Sequence, residues 1–403
     1  MTSPSQIPDR AFSRYLAIFA ALVFGSMAAI LFLNYSLDPF LTHQWETPHV
    51  QRLQPVGEKL APWGKTFAVH KYQPQVLYVG NSRTHWALPA DPKFFNAKRV
   101  FNGGIAGGSL ADAISLLRHA RVASRLDTVV WGVDYWEFSL DGGHPDFTPE
   151  LVASDTSYWL RRTVLDLKRA LSFDMTVASL DLLAGRTEAV CRSSLAFHGQ
   201  RDEACIVRNM IDRGGVSKVL FKDVLAVKGV NNKAMPAMPA FRGAIGELCQ
   251  AGIRVLIYVN PLHAITLENF YRRGFGGELD AWKRQLVRVA SEAQEQGCDI
   301  GLFDFSGFNS VTSETVPDVS GRASMRNYWE GSHYRTVVGR QILARMTKVE
   351  EDTVPIDFGT RLVPGNLEDH LGRIRIDRER YRREHGQELD LLEKWFGPNK
   401  QEP

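Results

Sequence analysis

Short apolar runs alternate with helical patterns over most of the chain. Five runs are rich in β-branched and aromatic residues and are not broken by polar positions, as expected for strands covered on both faces of a parallel sheet. Helical patterns at 109–123 and 279–297 lie between them. This alternation predicts βαβ units and an α/β fold with an open, doubly wound, mostly parallel sheet and flanking helices. The five predicted strands span 76–80, 99–103, 128–134, 254–260 and 299–305.

The longest apolar run covers residues 15–33 and contains no charged residue. Its length is close to the roughly 20 residues that a helix needs to cross a bilayer. Arg10 and Arg14 precede it and Asp38 follows it, so the positive-inside rule places the N-terminus in the cytoplasm. A cleaved signal peptide is the alternative, but its apolar core would be only about 7–15 residues long. We therefore expect an uncleaved, single-pass anchor in the inner membrane, with everything after residue 35 on the periplasmic side.

The pattern divides the chain into five parts. We expect an α/β domain over 75–348 that is interrupted at about 140–240 by a helical insertion. The tail after it is rich in charge and is expected to be partly helical and exposed. The other boundaries give a cytoplasmic leader at 1–14, a transmembrane anchor at 15–34, a juxtamembrane linker at 35–74 and the tail at 349–403.

The overall charge argues against a nucleic-acid partner. The chain has 48 basic and 45 acidic residues and a formal net charge of +3. No basic patch interleaved with aromatic residues accompanies this balance, so nothing favours binding to a phosphate backbone.

The four cysteines lack the C-x-x-C spacing of a zinc or redox motif. Cys191 and Cys205 bracket a polar stretch, and an oxidising compartment would allow them to close it as the only disulfide. Two unpaired cysteines packed as small hydrophobic residues are the alternative. We expect Cys249 and Cys298 to be core residues.

Polar and glycine-rich motifs follow the predicted strands. Ligands of an open parallel sheet bind beyond the carboxyl ends of its strands, so these motifs are candidates for a site. They read "YVGNSRT" at 78–84, "NGGIAGG" at 102–108, "WGVDYWEF" at 131–138 and, later in the chain, "YWEGSHY" at 328–334.

The order of these motifs resembles that of the SGNH (GDSL-like) hydrolase superfamily, and in particular its membrane-anchored members that act in O-acetylation of cell-surface polysaccharides. The resemblance covers roughly 75–140 and 250–345. It implies Ser82 as nucleophile, His333 as base, Glu330 as the acid that orients it, and an oxyanion hole from the backbone N–H groups of Ser82 and Gly104.

Two positions depart from the family pattern. Asp134 lies where the family has an asparagine that donates to the oxyanion, and an ionised carboxylate only accepts hydrogen bonds. Glu330 replaces an aspartate and is one methylene longer. Asp134 is therefore either a structural cap or a residue of the oxyanion site.

Serine needs an adjacent base to become a nucleophile, and the base needs a carboxylate to orient it. The alternative for Ser82 is a helix cap, and the alternative for His333 is a structural histidine. Asp304 is a second candidate for the orienting acid. The candidates for substrate contact are Asn81, Arg83, His85 and His263, with an ordinary loop histidine as an equal alternative for His263.

The resemblance implies a serine O-acyltransferase or carbohydrate esterase, and no cofactor or metal is expected. Triad chemistry alone does not separate transfer from hydrolysis. The resemblance implies an extracytoplasmic polysaccharide as substrate and an integral membrane O-acyltransferase as the partner that supplies the acyl group. A catalytically inert polysaccharide-binding or assembly protein with the same fold is the alternative from another class, because fold does not dictate activity.

Overall fold

The structure is a computed structural model of the 403-residue chain. Its description covers residues 9–43, 61–139, 143, 147–155, 157–186, 197–212, 235–317, 324–351 and 354–396.

A six-stranded sheet in the order β2-β1-β3-β4-β5-β6 forms the centre of the fold. Strands β1 to β5 are parallel, and the short β6 pairs antiparallel with β5. This confirms the predicted α/β class with a mostly parallel sheet and flanking helices. The strands are β1 Val76–Val79, β2 Val100–Asn102, β3 Thr128–Val133, β4 Arg254–Val259, β5 Ile300–Asp304 and β6 Thr360–Arg361.

Helices cover both faces of the sheet. Along β1, Leu77 and Val79 pack into one hydrophobic cluster, whereas Val76 and Tyr78 pack into another on the opposite face. Side chains alternate between the faces of a strand, so two such clusters require two layers of helices. The helices are α1 Asp9–Leu37, α2 Ala61–Tyr72, α3 Ser82–Ala87, α4 Leu110–Ala123, α5 Tyr135–Ser139, α6 Tyr158–Ala170, α7 Phe173–Leu183, α8 Glu203–Asp212, α9 Met238–Gln250, α10 Ala264–Arg272, α11 Gly276–Glu295, α12 Thr336–Thr347, α13 Leu367–Glu384 and α14 Gly386–Phe396.

The strand order reverses next to β1. The chain passes from β1 to β2 on one side and then returns to pair β3 with the other side of β1. The register aligns Val79 with Trp131, and Val133 with Val259. The segments that follow β1, β3 and β4 therefore emerge together at a switch point, which is where open α/β sheets bind ligands.

α1 is the one helix among the described residues that is long and apolar enough to cross a membrane, as judged by length and composition. It packs against α6 and α7, which belong to the predicted insertion. The placement of the other insertion residues near Cys191 lies outside the described residues.

The expectation of an exposed C-terminal tail is wrong. Leu371, Ile374 and Tyr381 of α13 are buried in the larger core cluster, and β6 adds a strand to the sheet. This segment contains many arginines, but its apolar residues recur at helical spacing and form a stripe. That stripe packs into the larger core cluster.

The disulfide prediction also needs correction. Cys249 and Cys298 form a disulfide with a Cα–Cα distance of 5.2 Å. This disulfide joins the end of α9 to the segment before β5. The sequence alone did not predict that these two segments lie side by side. Cys205 is also disulfide-bonded, so the bridge between Cys249 and Cys298 is not the only one. Cys191, its predicted partner, lies outside the described residues.

Candidate active site

Ser82 opens α3 in a tight turn that directly follows β1. Gly80 has a φ of +143°, and a Cβ there would lie 2.8 Å from the carbonyl oxygen of Gly132 on β3. Only glycine fits a turn that passes so close to the neighbouring strand. Asn81 caps the helix by accepting the backbone N–H of Arg83 at 3.0 Å. The turn fixes Ser82 at the carboxyl edge of the sheet, and Ser82 is partly exposed.

The structure brings Ser82, His333 and Glu330 into one hydrogen-bonded chain. Ser82 Oγ lies 2.7 Å from His333 Nε2. His333 Nδ1 contacts a carboxylate oxygen of Glu330 in a short hydrogen bond. With the Nδ1 proton directed at the carboxylate, Nε2 carries no proton and can accept that of the serine hydroxyl.

A tight segment before α12 holds the Glu330 carboxylate in place. Its two oxygens accept the backbone N–H groups of Ser332 at 2.7 Å and His333 at 2.8 Å. Glu330 is buried, whereas the His333 side chain retains 17% exposure. The longer glutamate therefore reaches the imidazole because its own segment folds back on it.

Trp86 is a site residue that the sequence reasoning missed. Its ring stacks on the His333 imidazole with centroids 4.0 Å apart and an interplanar angle of 21°. The face of an indole attracts a cation, so this contact favours a protonated imidazole. The signal in the sequence is its spacing, because Trp86 lies one helical turn after Ser82.

Asp134 accepts hydrogen bonds from three side chains beneath the turn that carries Ser82. Its Oδ2 receives Asn81 Nδ2 at 2.6 Å, Asn260 Nδ2 at 3.0 Å and Arg83 at 3.1 Å. Asp134 is buried. Burial raises its pKa, and the charge of Arg83 and the amide hydrogen bonds oppose that shift. The predicted oxyanion role for Asp134 is not supported, because all of these contacts use it as an acceptor.

Arg83 links the turn that carries Ser82 to the segment that carries His333. Its Nε donates to the carbonyl oxygen of Ser332 at 2.8 Å, while another guanidinium nitrogen pairs with Asp134. Its guanidinium also lies over the ring of Trp136 at 4.3 Å. Arg83 is 8% exposed, so its position suits the alignment of the triad better than substrate contact.

Gly104 lies against α3. Its backbone N–H donates to Asn102 Oδ1 at 2.9 Å, and a Cβ there would meet the backbone N of His85 at 2.6 Å. Gly104 therefore allows close packing, and its N–H is already used inside the protein. The N–H of Ser82 differs because the first residues of a helix have no acceptor within it.

Two histidines predicted to contact substrate are completely buried. His263 caps α10 through Nδ1, and its Nε2 lies 2.6 Å from the carbonyl oxygen of Glu314. His263 is therefore a buried helix cap, which differs both from the predicted substrate contact and from the alternative of an ordinary loop histidine. His85 is also completely buried, and its pKa is lowered well below the usual value by burial and by the nearby charges of Lys65 and Arg201. Neither ring reaches the surface next to Ser82.

Asp304 is not the orienting acid. Its carboxylate pairs with Lys283 at 2.7 Å and with His370 at 2.8 Å. Burial alone would raise the pKa of Asp304, but these two partners outweigh it and hold the pKa well below its ordinary range. The structure thus assigns this carboxylate to a contact between α11, α13 and the sheet.

No known family model matches the chain, and no curated protein matches it significantly. Within the described residues, no group of three or more histidine, cysteine or acidic side chains is arranged to hold a metal ion. Ser82, His333 and Glu330 form the arrangement that points to a function.

Proposed function

We propose that this chain is a serine O-acyltransferase or carbohydrate esterase that works through Ser82, His333 and Glu330. The observation that carries the proposal is the continuous hydrogen-bonded chain from the Ser82 hydroxyl through both ring nitrogens of His333 to the buried Glu330. An ordinary helix cap needs neither the histidine nor its carboxylate.

In the first half-reaction, Ser82 Oγ attacks the carbonyl carbon of an ester. His333 Nε2 takes the hydroxyl proton as the new C–O bond forms, and the Glu330 carboxylate stabilises the resulting imidazolium. When the tetrahedral intermediate collapses, the bond to the leaving alcohol breaks. His333 gives its proton to that alcohol, and Ser82 carries the acyl group.

In the second half-reaction, water or a sugar hydroxyl attacks the acyl group on Ser82. His333 removes the proton of the attacking oxygen and returns it to Ser82 Oγ as the acyl bond breaks. Water gives hydrolysis, and a sugar hydroxyl gives transfer. The same side chains serve both outcomes, so the nature of the acceptor decides between them.

The oxyanion needs hydrogen-bond donors that are directed at the reacting carbonyl. Ser82 is the first residue of α3, so its backbone N–H has no acceptor within the helix, and loss of one oxyanion donor typically costs about 3 kcal/mol of barrier. The N–H of Gly104 would have to release Asn102 Oδ1 before it could contribute a second bond.

We place the catalytic domain outside the cytoplasm, with α1 as a single-pass anchor in the inner membrane. The disulfide between Cys249 and Cys298 supports this side, because disulfides persist in oxidising compartments. The resemblance to membrane-anchored SGNH proteins suggests acetyl groups of an extracytoplasmic polysaccharide as the substrate and an integral membrane O-acyltransferase as the acyl source.

Turnover by the full-length protein in detergent tests this proposal, with an activated acetyl ester as donor and either water or oligosaccharides as acceptor. Ser82→Ala and His333→Ala should each lower kcat by several orders of magnitude. The double variant should be hardly worse than either single one, because triad residues act as a unit. Near wild-type turnover in Ser82→Ala would contradict the proposal. Asp127→Asn, at an exposed ion pair with Lys98, is the matched control.

A further inference from the structure

Helices α6 and α7 turn apolar stripes outward. Leu160, Val164 and Leu167 recur at helical spacing on α6, with exposed fractions of 71%, 46% and 47%. Phe173, Val177 and Leu180 follow the same spacing on α7. A surface helix normally directs such a stripe to the core. We call these six side chains the α6–α7 apolar face.

The exposed apolar residues of the described chain are concentrated in two places. Of its 23 exposed large hydrophobic side chains, eleven lie on α1 and eight lie on α6 or α7. The remaining four are scattered. Single exposed apolar residues are normal, but a contiguous patch marks a partner or a membrane. The α6–α7 apolar face is thus distinct from the ordinary surface.

A buried hydrogen bond fixes this face at the end of the predicted membrane span. Asn34 follows the apolar run of α1 and is fully buried. Its Nδ2 donates to the carbonyl oxygen of Ala170 at 2.7 Å and to Thr176 Oγ1 at 2.9 Å. Ala170 ends α6, and Thr176 lies in the first turns of α7. The junction of the two helices is therefore held where the apolar part of α1 ends.

We infer that the α6–α7 apolar face lies in the interfacial layer of the bilayer that α1 crosses, with lipid acyl chains as its occupant. The contact with Asn34 sets the depth, since a helix pair held there meets the boundary between headgroups and acyl chains. Tyr35 and Trp159, both partly exposed, are of the type enriched at that boundary. Lys168 is exposed on α6 and can reach lipid phosphates.

This attachment makes no use of Ser82 and goes beyond the proposed reaction. It rests on α1 as a membrane span. One helix alone would leave the domain free to rotate about its anchor, whereas a second contact with the bilayer fixes its orientation. The side of the domain that carries Ser82 then keeps a constant orientation relative to the membrane.

Lipid-borne quenching of a fluorophore on single introduced cysteines tests the inference in the full-length protein. The described cysteines are all disulfide-bonded, so an introduced thiol can be labelled selectively. Labels at Phe173→Cys and Leu180→Cys report on the face. A label at Phe24→Cys reports on α1, and one at Ile376→Cys, 69% exposed on α13, is the matched control. The protein is reconstituted in vesicles of phosphatidylethanolamine and phosphatidylglycerol that carry doxyl lipids.

The inference predicts that doxyl lipids quench the labels at Phe173→Cys and Leu180→Cys several-fold more than the label at Ile376→Cys, at every protein-to-lipid ratio. Quenching by aqueous iodide should show the opposite order. If Phe24→Cys reports lipid while Phe173→Cys reports water, the inference is overturned and the anchor stands. If both report water, the anchor fails as well. Shielding of Phe173→Cys from lipid and iodide alike would show that protein, such as a second copy, covers the face, which also overturns it.

Discussion

The contacts of single residues in this site could be predicted from the sequence only in part. The sequence predicted Ser82, Glu330 and His333, because each follows a strand or belongs to a short motif with a recognisable order. It did not predict the role of Asp134, since the partners of a buried carboxylate depend on which strands lie side by side. It also indicated Asp304 as a second candidate for the acid that orients His333, although the fold pairs Asp304 with Lys283 and His370.

Glu330 and Asp304 should separate catalysis from stability. Glu330→Gln keeps a partner for the imidazole but removes the charge that stabilises its protonated form, so kcat should fall by roughly two to four orders of magnitude with little change in the melting temperature. Asp304→Asn leaves Lys283 without its buried partner, so the free energy of unfolding should fall by about 3–5 kcal/mol. Its kcat at a temperature where it is folded should stay near that of the wild type. Equal losses of kcat in the two variants would contradict this division.

Asp134→Asn tests whether this position donates to the oxyanion. Asparagine would supply the amide that SGNH hydrolases, which the motifs resemble, have at this position, so an oxyanion role predicts higher turnover. The structure predicts a loss instead, because Arg83 would lose the charge that pairs with it and the Ser332 carbonyl would lose its fixed donor. We expect kcat to fall roughly 10- to 100-fold with a smaller change in KM, as a displaced base would cause. Steady-state kinetics, with Asp127→Asn as the control, decides between the two.

The buried parallel strands were easier to predict from the sequence than β6, the packing of α13 and the contacts of α5. Buried parallel strands are continuous apolar runs, and all five were placed within a few residues of their observed bounds. β6 has only two residues and no apolar run. The buried apolar residues of α13 are interspersed with arginines. The contact between α5 and the nucleophile turn depends on the register of β1 and β3, which no local pattern encodes.

Glu137 of α5 should make the stability of the protein depend on pH. Burial, and then the neighbouring Asp134, raise the pKa of Glu137 well above its ordinary value of 4.5. The folded state therefore keeps a proton that the unfolded state loses, and stability falls as the pH rises from the unfolded pKa towards the folded one. Glu137→Gln removes this contribution, so its advantage in free energy of unfolding should grow as the pH rises above about 4.5.

Urea unfolding of the wild type and Glu137→Gln over a pH series measures this difference. Below pH 4 the two proteins should be nearly equal in stability. Glu295→Gln, at an exposed position on α11, should follow the wild type at every pH. A constant offset between Glu137→Gln and the wild type would show that the proton on Glu137 does not contribute.

At the scale of the whole molecule, the fold places a serine site on a doubly wound sheet and joins it to an apolar N-terminal helix. The motifs that follow β1, β2 and β3 lie close together because parallel strands expose their carboxyl ends at one edge. The segment before α12 joins them through the hydrogen bond between His333 and Ser82. The contacts of α1 with α6 and α7 and the disulfide between Cys249 and Cys298 had no signal in local sequence, since each joins segments far apart in the chain. The central claim is that this assembly activates Ser82 as a nucleophile.

Labelling with a fluorophosphonate tests that claim most directly, because the reagent reports an activated serine without knowledge of the polymer or the acyl group. Full-length protein in detergent is treated with the probe, digested and mapped by mass spectrometry. We predict modification at Ser82 alone, its loss in Ser82→Ala and His333→Ala, and slower labelling in Glu330→Gln. Modification at a different serine would contradict the nucleophile assignment. Absence of any modification in the folded wild type would favour the inert polysaccharide-binding protein.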